Sequence, residues 1–381
     1  MTNKSQKYAY ELVASDIINR IGKGEWTLGG RIPTVDALVS QYPYSYMTVR
    51  KALKHLETMG FLDMKRGSGV YVAKTGRQFT VAMLFYDTIL RAQKTPFNSL
   101  IMEAGKRYCE KRSANFEIYI TDNKKDELTC RDFIAALKNH NIDGFIALGI
   151  EPQLKTLTAS RFWKDFSVPY VNITEDRDFP CSVTMDFDKE VELAFKHISS
   201  KGIKKVDVIG ADRRKSTQYM KTASKYGLSI LIHPFSTELA MADYQEERYE
   251  LFGFVMGNRI LSREKLPEAI LVLDDIMAKG VAMELSKRGV RIPEDLLFVT
   301  HANKGSGVFY PVPAVKVEFD PDKIVEAAGN MLWNSMTKGT PLAGSVRVPP
   351  ELCAAETTRS IYAEMAIPIP QSYHTPKNAG I

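Results

Sequence analysis

Cysteine is scarce and scattered in this chain: four in 381 residues, at 109, 130, 181 and 353, with no CxxC spacing. That argues against both a disulfide framework and a cysteine zinc site. Six histidines form no HxxxH or HExxH pair, and neither a Walker GxxxxGK[ST] nor a GxSxG motif occurs. Metal, cofactor and enzyme readings therefore have no local signature to start from. Apolar runs of the ~18 residues a membrane span needs are missing, and MTNKSQKYAY lacks an apolar segment behind its positive charges. A soluble, cytoplasmic chain is expected, with no membrane partner.

The length exceeds a usual single domain, and a hydrophobic fraction of 44% is ordinary for globular protein. Charge is uneven. Residues 1–76 hold 11 Lys+Arg against 6 Asp+Glu, while the rest holds 40 against 39. The basic excess thus lies in the first fifth.

Within that fifth, Tyr10, Val13, Ala14, Ile17, Ile18 and Ile21 make one apolar helical stripe that Gly22 and Gly24 end. Thr34 can cap a second helix from Val35 to Gln41, with Val35, Leu38 and Val39 inward, and Pro43 breaks it. Ser45 can cap a third, which buries Val49, Leu53 and Leu56, carries Tyr46, Arg50, Lys51, Lys54 and His55 on its other side, and stops at Gly60. Phe61 to Met64 and Val70 to Val72 read as strands joined by Lys65, Arg66, Gly67, Ser68 and Gly69. Three helices and a hairpin give a winged helix-turn-helix. A helix fits the major groove and cations pair with phosphates, so double-stranded DNA is the partner this pattern suggests. A solvated charged helix beside an ordinary hairpin is the bland alternative.

The stretches YELVASDIINRIGKGEW, GGRIPTVDALVSQYP and YSYMTVRKALKHLETMGFLDMKRGSGVYVA resemble the GntR-type winged helix along its whole length. The resemblance implies that Ser45, Tyr46, Met47, Thr48, Arg50 and Lys51 meet operator DNA. It also implies that Lys65, Arg66, Gly67, Ser68 and Gly69 form a wing directed at the minor groove, with Thr34 near phosphate. Asp36 and Tyr46 stand where the family usually has arginine, which implies an operator unlike the common one.

Beyond a polar connector at 73–79, strand and helix signals alternate: TVAMLFY, PFNSLIMEAGKRYCEKR, FEIYIT, CRDFIAALKNHNI, DGFIALGI, and so on to DLLFVTHA. Apolar strands separated by amphipathic helices indicate parallel sheets covered on both faces. There are more strands than one sheet needs, which predicts two lobes with a ligand between them at the strands' carboxyl ends. Asp87, Asn172, Asp274 and Asn303 follow those ends, and all four hydrogen-bond hydroxyls readily.

TPFNSLIMEAG, VTMDFDKEVELAFKHISSKGIKKVDVIG, LVLDDIMAKGVAMELSKRGVRIPEDLLFVTHAN and VPPELCAAETTRS resemble the LacI-type effector domain, which is similar to periplasmic sugar-binding proteins. The expected fold is α/β: a winged helix at 1–72, a linker at 73–79, a two-lobed periplasmic-binding-protein-like domain with parallel sheets at 80–360, and a Pro-rich tail at 361–381. By position the resemblance implies effector contacts from Asp274, Asn303, Asn172, Phe235, Phe319 and Lys215. Bland readings stand beside these: helix capping for Asp274 and more so for Asp275, turns for the two asparagines, core for the two phenylalanines, and a solvated loop for Lys215.

The two modules together look like an arabinose-repressor-type chimera. The expectation is a homodimeric transcriptional repressor whose operator affinity is set by a small sugar. Alternatives are a sugar phosphate or nucleoside effector, which the cationic ADRRKST run would favour, and an enzyme fused to a DNA-binding module. The enzyme reading lacks a recognisable catalytic lysine context.

Overall fold

The computed structural model describes residues 3–27, 29–58, 60–65, 67–73, 79–87, 96–122, 130–139, 141–175, 179–235, 247–338 and 341–353. Arg66, most of the 73–79 connector and the 361–381 tail lie outside the described residues. Helices α1 (Asn3–Gly22), α2 (Val35–Val39) and α3 (Tyr46–Thr58) precede a hairpin of β1 (Leu62–Lys65) and β2 (Gly69–Val72). The hairpin is antiparallel, with Leu62 opposite Val72 and Lys65 opposite Gly69. Val13, Ala14, Ile17 and Ile21 of α1 close over Leu38, Val49, Leu53, Leu56, Val70 and Val72 in one core. The apolar stripe read from the sequence is therefore the buried face, with Tyr10 and Ile18 at its edges.

The rest forms two lobes, each a six-stranded sheet between helices. The first sheet contains β3 (Thr80–Tyr86), β4 (Asn115–Thr121), β5 (Gly144–Leu148), β6 (Tyr170–Ile173), β7 (Ser182–Met185) and β13 (Ser345–Val348), in the order β13-β7-β6-β5-β3-β4. All its pairings are parallel. Its inner strands are apolar on both sides because helices cover both faces: α4 (Pro96–Glu110) and α12 (Pro321–Lys338) on one, α5 (Arg131–Lys138), α6 (Glu151–Ala159) and α7 (Arg161–Phe166) on the other.

The second sheet contains β8 (Lys205–Ala211), β9 (Ser229–Pro234), β10 (Ala269–Val272), β11 (Leu297–Asn303), β12 (Val315–Phe319) and β14 (Glu351–Cys353), in the order β14-β12-β11-β10-β8-β9. Only the short β14 runs antiparallel among these pairings. Helices α8 (Phe187–Ser200) and α9 (Ser216–Lys225) cover one face, α10 (Glu247–Leu261) and α11 (Asp275–Lys287) the other. The α10–α11 crossing is unusually close. A Cβ on Gly280 would stand 2.0 Å from Glu250 O, and one on Gly253 would stand 1.9 Å from Met277 O, so glycine is the residue that permits this packing.

The chain passes between the lobes three times: β7 to α8, β12 to α12, and β13 to β14. The first two passages sit at aspartates that also start a helix. Asp186 accepts from the Lys189 amide at 3.2 Å, and Asp320 accepts from the Asp322 amide at 3.0 Å. Each lobe is thus assembled from segments distant in sequence, with the strands' carboxyl ends facing the passages.

Candidate DNA-reading face and effector cleft

Ser45 caps α3, its hydroxyl accepting from the Thr48 amide at 3.3 Å and pairing with the Thr48 hydroxyl at 2.9 Å. Thr34 caps α2 by accepting from the Ala37 amide at 3.3 Å. With Val49, Ala52, Leu53 and Leu56 turned into the core, the opposite side of α3 presents Tyr46, Met47 and Arg50 to solvent. Met47 is 68% exposed, an apolar side chain that nothing in the fold covers. Asp36 is exposed in the first turn of α2. Lys51 departs from this group: its ammonium sits 4.4 Å from the centre of the Tyr10 ring, against α1. On the wing, Lys65 lies 3.7 Å from Asp63, the Ser68 hydroxyl pairs with Tyr71 at 2.7 Å, and Gly67 and Gly69 adopt positive φ.

In the first lobe, a cavity of about 600 Å³ opens at the carboxyl ends of β5, β6 and β7, lined by Phe97, Asn98, Leu148, Glu151 and Thr174 among others and, at the start of α8, by Phe187. Glu151, the first residue of α6, faces this cavity and is held from behind by Asn172, whose amide Nδ2 lies 3.4 Å from its Oε1. A carboxylate accepts only, so the contact fixes the amide's orientation and leaves Asn172 Oδ1 as a buried acceptor without a partner. Asp87, just past β3, likewise carries a buried Oδ1 with no partner among the described residues.

The second lobe repeats the device. Asn303, at the end of β11, directs its Nδ2 at Asp275 Oδ2 and at His301 Nε2, each at 3.2 Å, and its Oδ1 is buried without a partner. His301 Nδ1 lies 2.7 Å from Glu190 Oε1. Burial disfavours a charge on this ring, but Glu190 and, further off, Asp275 and Asp274 raise its pKa above the ordinary histidine value. Asp274 caps α11, its Oδ1 accepting from the Ile276 amide at 3.0 Å and the Met277 amide at 2.7 Å. Burial and then the neighbouring Asp275 charge push its carboxyl up to about 6.

Phe187 joins the two sides. It opens α8, lines the cavity, packs 5.5 Å from the Phe319 ring and 6.4 Å from the His301 ring, and lies 5.6 Å below the Lys215 ammonium.

The structure therefore separates the residues singled out in the sequence. Asp274, Asp87, Asn303 and Lys215 lie at strand ends and turns, and none of the four lines the cavity. Asn172 is fully buried and acts through Glu151. Phe319 is also fully buried, so it reaches the cleft only through Phe187. Phe235 stacks on Tyr249 at 4.8 Å and packs edge-on to Phe252, which places it in the core beneath α10 rather than over a ligand. The capping role expected of Asp275 belongs to Asp274, while Asp275 is buried and accepts from Asn303. Glu151, Phe187, Glu190 and His301 were not singled out. A histidine inside the apolar run LLFVTHAN was the available signal for one of them.

Comparison with known proteins matches the two modules separately. Residues 9–72 match the family described as bacterial regulatory proteins, gntR family, and residues 195–358 match the periplasmic binding protein-like domain. The HTH-type transcriptional repressor PurR of Haemophilus influenzae (strain Rd) is 23% identical over 282 residues, covering 72% of this chain and 81% of that protein. Among solved structures, a protein from Rhizobium etli described as a LacI-family transcriptional regulator superposes with a TM-score of 0.58 at 17% identity, over 74% of this chain and 99% of that one. The dimeric Lac repressor with an 11-residue C-terminal deletion gives 0.55 at 16% identity, over 74% and 98%. At such identities the superpositions establish the fold. The chain joins a GntR-type winged helix to a LacI-type, periplasmic-binding-protein-like effector domain. It is a transcriptional regulator with separate DNA-binding and effector-binding modules.

Proposed function

We propose that this regulator is a repressor that binds operator DNA through α3 and the wing, and that a small neutral sugar in the cleft lowers its DNA affinity. One observation carries the ligand class. Among the described residues, Asp87, Asn172 and Asn303, at or near the carboxyl ends of β3, β6 and β11, each hold a buried acceptor oxygen with no partner. Glu151 adds a carboxylate to the cavity wall, and Asp274 and Asp275 follow the carboxyl end of β10 in the second lobe. Unpaired buried acceptors favour a ligand rich in O–H donors, since each such atom left unmade costs about 1–3 kcal/mol.

A phosphate is the poorer fit, because it brings only acceptors and negative charge. Of the Arg213-Arg214-Lys215 run, Arg214 is paired with Asp212 at 2.9 Å and points to solvent, so Lys215 is the cation that reaches Phe187. A nucleoside is the second reading, supported by the Phe187 ring on the cavity wall, against which a base would stack.

The assembly we propose is a cytoplasmic homodimer. Two-fold operators call for one, and the outer strands and α10 expose Ile118, Leu231, Leu251 and Val255. A thermal-shift screen of free sugars, sugar phosphates and nucleosides tests the ligand class. A ligand at 100 times its Kd stabilises by about 2.7 kcal/mol. A free pentose or hexose hit is expected; hits confined to phosphates or nucleosides overturn the sugar assignment.

A further inference from the structure

Residues 29–32 run beside the wing in extended form, joined to it by an isolated bridge. The Gly29 amide donates to Val72 O at 2.8 Å, the Val72 amide to Gly30 O at 2.9 Å, and the Ile32 amide to Val70 O at 2.9 Å, while Arg31 forms a bridge with Tyr71. Alternation along this extended stretch sends Ile32 into the core and leaves Arg31 exposed.

The Arg31 guanidinium rests on the wing at Gly69. A Cβ built there would stand 2.5 Å from Arg31 Nε and 3.1 Å from its Cζ. Glycine at 69 thus serves two ends: it adopts φ +130°, and it vacates the space the guanidinium fills.

Charge distinguishes Arg31 from its neighbours. Lys65 lies near Asp63, Lys54 pairs with Glu57, and Arg20 pairs with Glu25. Among the described residues Arg31 has no carboxylate within ion-pair reach. A planar guanidinium that packing holds in place, and that no acid neutralises, is preorganised for an anion.

We propose that Arg31 is a DNA-phosphate contact, seated by Gly69 beside the wing so that it grips the backbone flanking the site the wing enters. The proposal rests on the DNA-binding reading. It adds a contact outside the recognition helix and the wing loop, where the motif itself directs attention.

The electrostatic part of DNA affinity is independent of sequence. A random-sequence duplex, titrated by fluorescence anisotropy between roughly 50 and 200 mM salt, therefore serves as the probe. Losing one phosphate contact lowers the log–log salt slope by about 0.9 and weakens binding about five-fold near 0.15 M. Arg31→Ala should show that change with an unaltered melting temperature, and Arg31→Lys should restore the slope. Arg31→Ala binding like the unaltered chain overturns the assignment alone. So does a lost slope accompanied by a lowered melting temperature that Arg31→Lys fails to correct. An unaltered chain that binds no duplex overturns the DNA-binding reading, and this proposal with it.

Discussion

His301 and Glu190 close a buried contact of 2.7 Å between β11 and the first turn of α8, the helix by which the chain enters the second lobe. The two residues are 111 positions apart, so this contact belongs to the fold and not to any local motif.

Removing the ring should be costly. His301→Ala leaves the Glu190 carboxylate buried without its partner, and such losses run at about 3–5 kcal/mol. Denaturant unfolding should show this destabilisation. A double replacement of His301 and Glu190 by apolar residues should cost less than the sum of the two single changes. Strict additivity would mean the contact carries no coupling energy.

Asp274 should trade stability for binding. Its carboxyl is raised from 3.8 to about 6, so the folded chain holds a proton there that the unfolded chain releases earlier. This group therefore lowers stability progressively as pH rises from near 4 to about 6, and the penalty persists above that. Asp274→Asn keeps a capping oxygen and removes the ionisation penalty, so at pH 7 it should melt higher, by about 1–3 kcal/mol. Asp274→Ala loses the cap as well, which costs about 1 kcal/mol. Calorimetric melts of both variants beside the unaltered chain check the order.

The same carboxylate should shape the pH response of effector binding. Below about 6 it protonates and gives up an acceptor, so sugar affinity should fall as pH drops through that value. Isothermal titration across pH 5 to 8 should show the fall in the unaltered chain and a flat, weaker profile in Asp274→Asn, these limits being roughly those of ordinary buffers.

Gly280→Ala should be among the most harmful single-methyl additions. The new Cβ would meet backbone atoms, Glu250 O at 2.0 Å and Phe254 N at 2.5 Å, which cannot swing aside as a side chain would. Separating α10 from α11 should cost about 2 kcal/mol or more, read as a lowered denaturation midpoint.

Arg50→Ala should weaken operator binding by about 1–3 kcal/mol while leaving the melting temperature and effector affinity in place. The side chain is exposed on the outer side of α3 and packs against none of the winged-helix core. Loss of effector binding in the same variant would count against separate modules.

Much of this architecture was legible because it is local. The stripe from Tyr10 to Ile21, the caps at Thr34 and Ser45, and the alternation of apolar strands with amphipathic helices each lie within a few turns of chain. What stayed hidden depends on where distant segments meet. Helix α12 and strands β13 and β14 carry the chain back between lobes, and nothing local in residues 321–353 says which sheet receives them. The exchange of roles between Asp274 and Asp275 has a similar origin. Which of two adjacent acids caps the helix depends on which one retains extended backbone, and Asp274 does so at φ −160° and ψ 132°. Glu151 was missed because the sequence marks the asparagine behind it more clearly than the acid in front.

The strand β3 has a mechanical consequence. It begins at Thr80, a few residues after the wing, and ends beside Asp87 at the carboxyl edge of the first sheet, spanning about 23 Å at ~3.3 Å per residue. Paired on both edges, it has no freedom to bend alone. A small tilt imposed at its ligand end must reappear at its other end as a displacement of the attachment point.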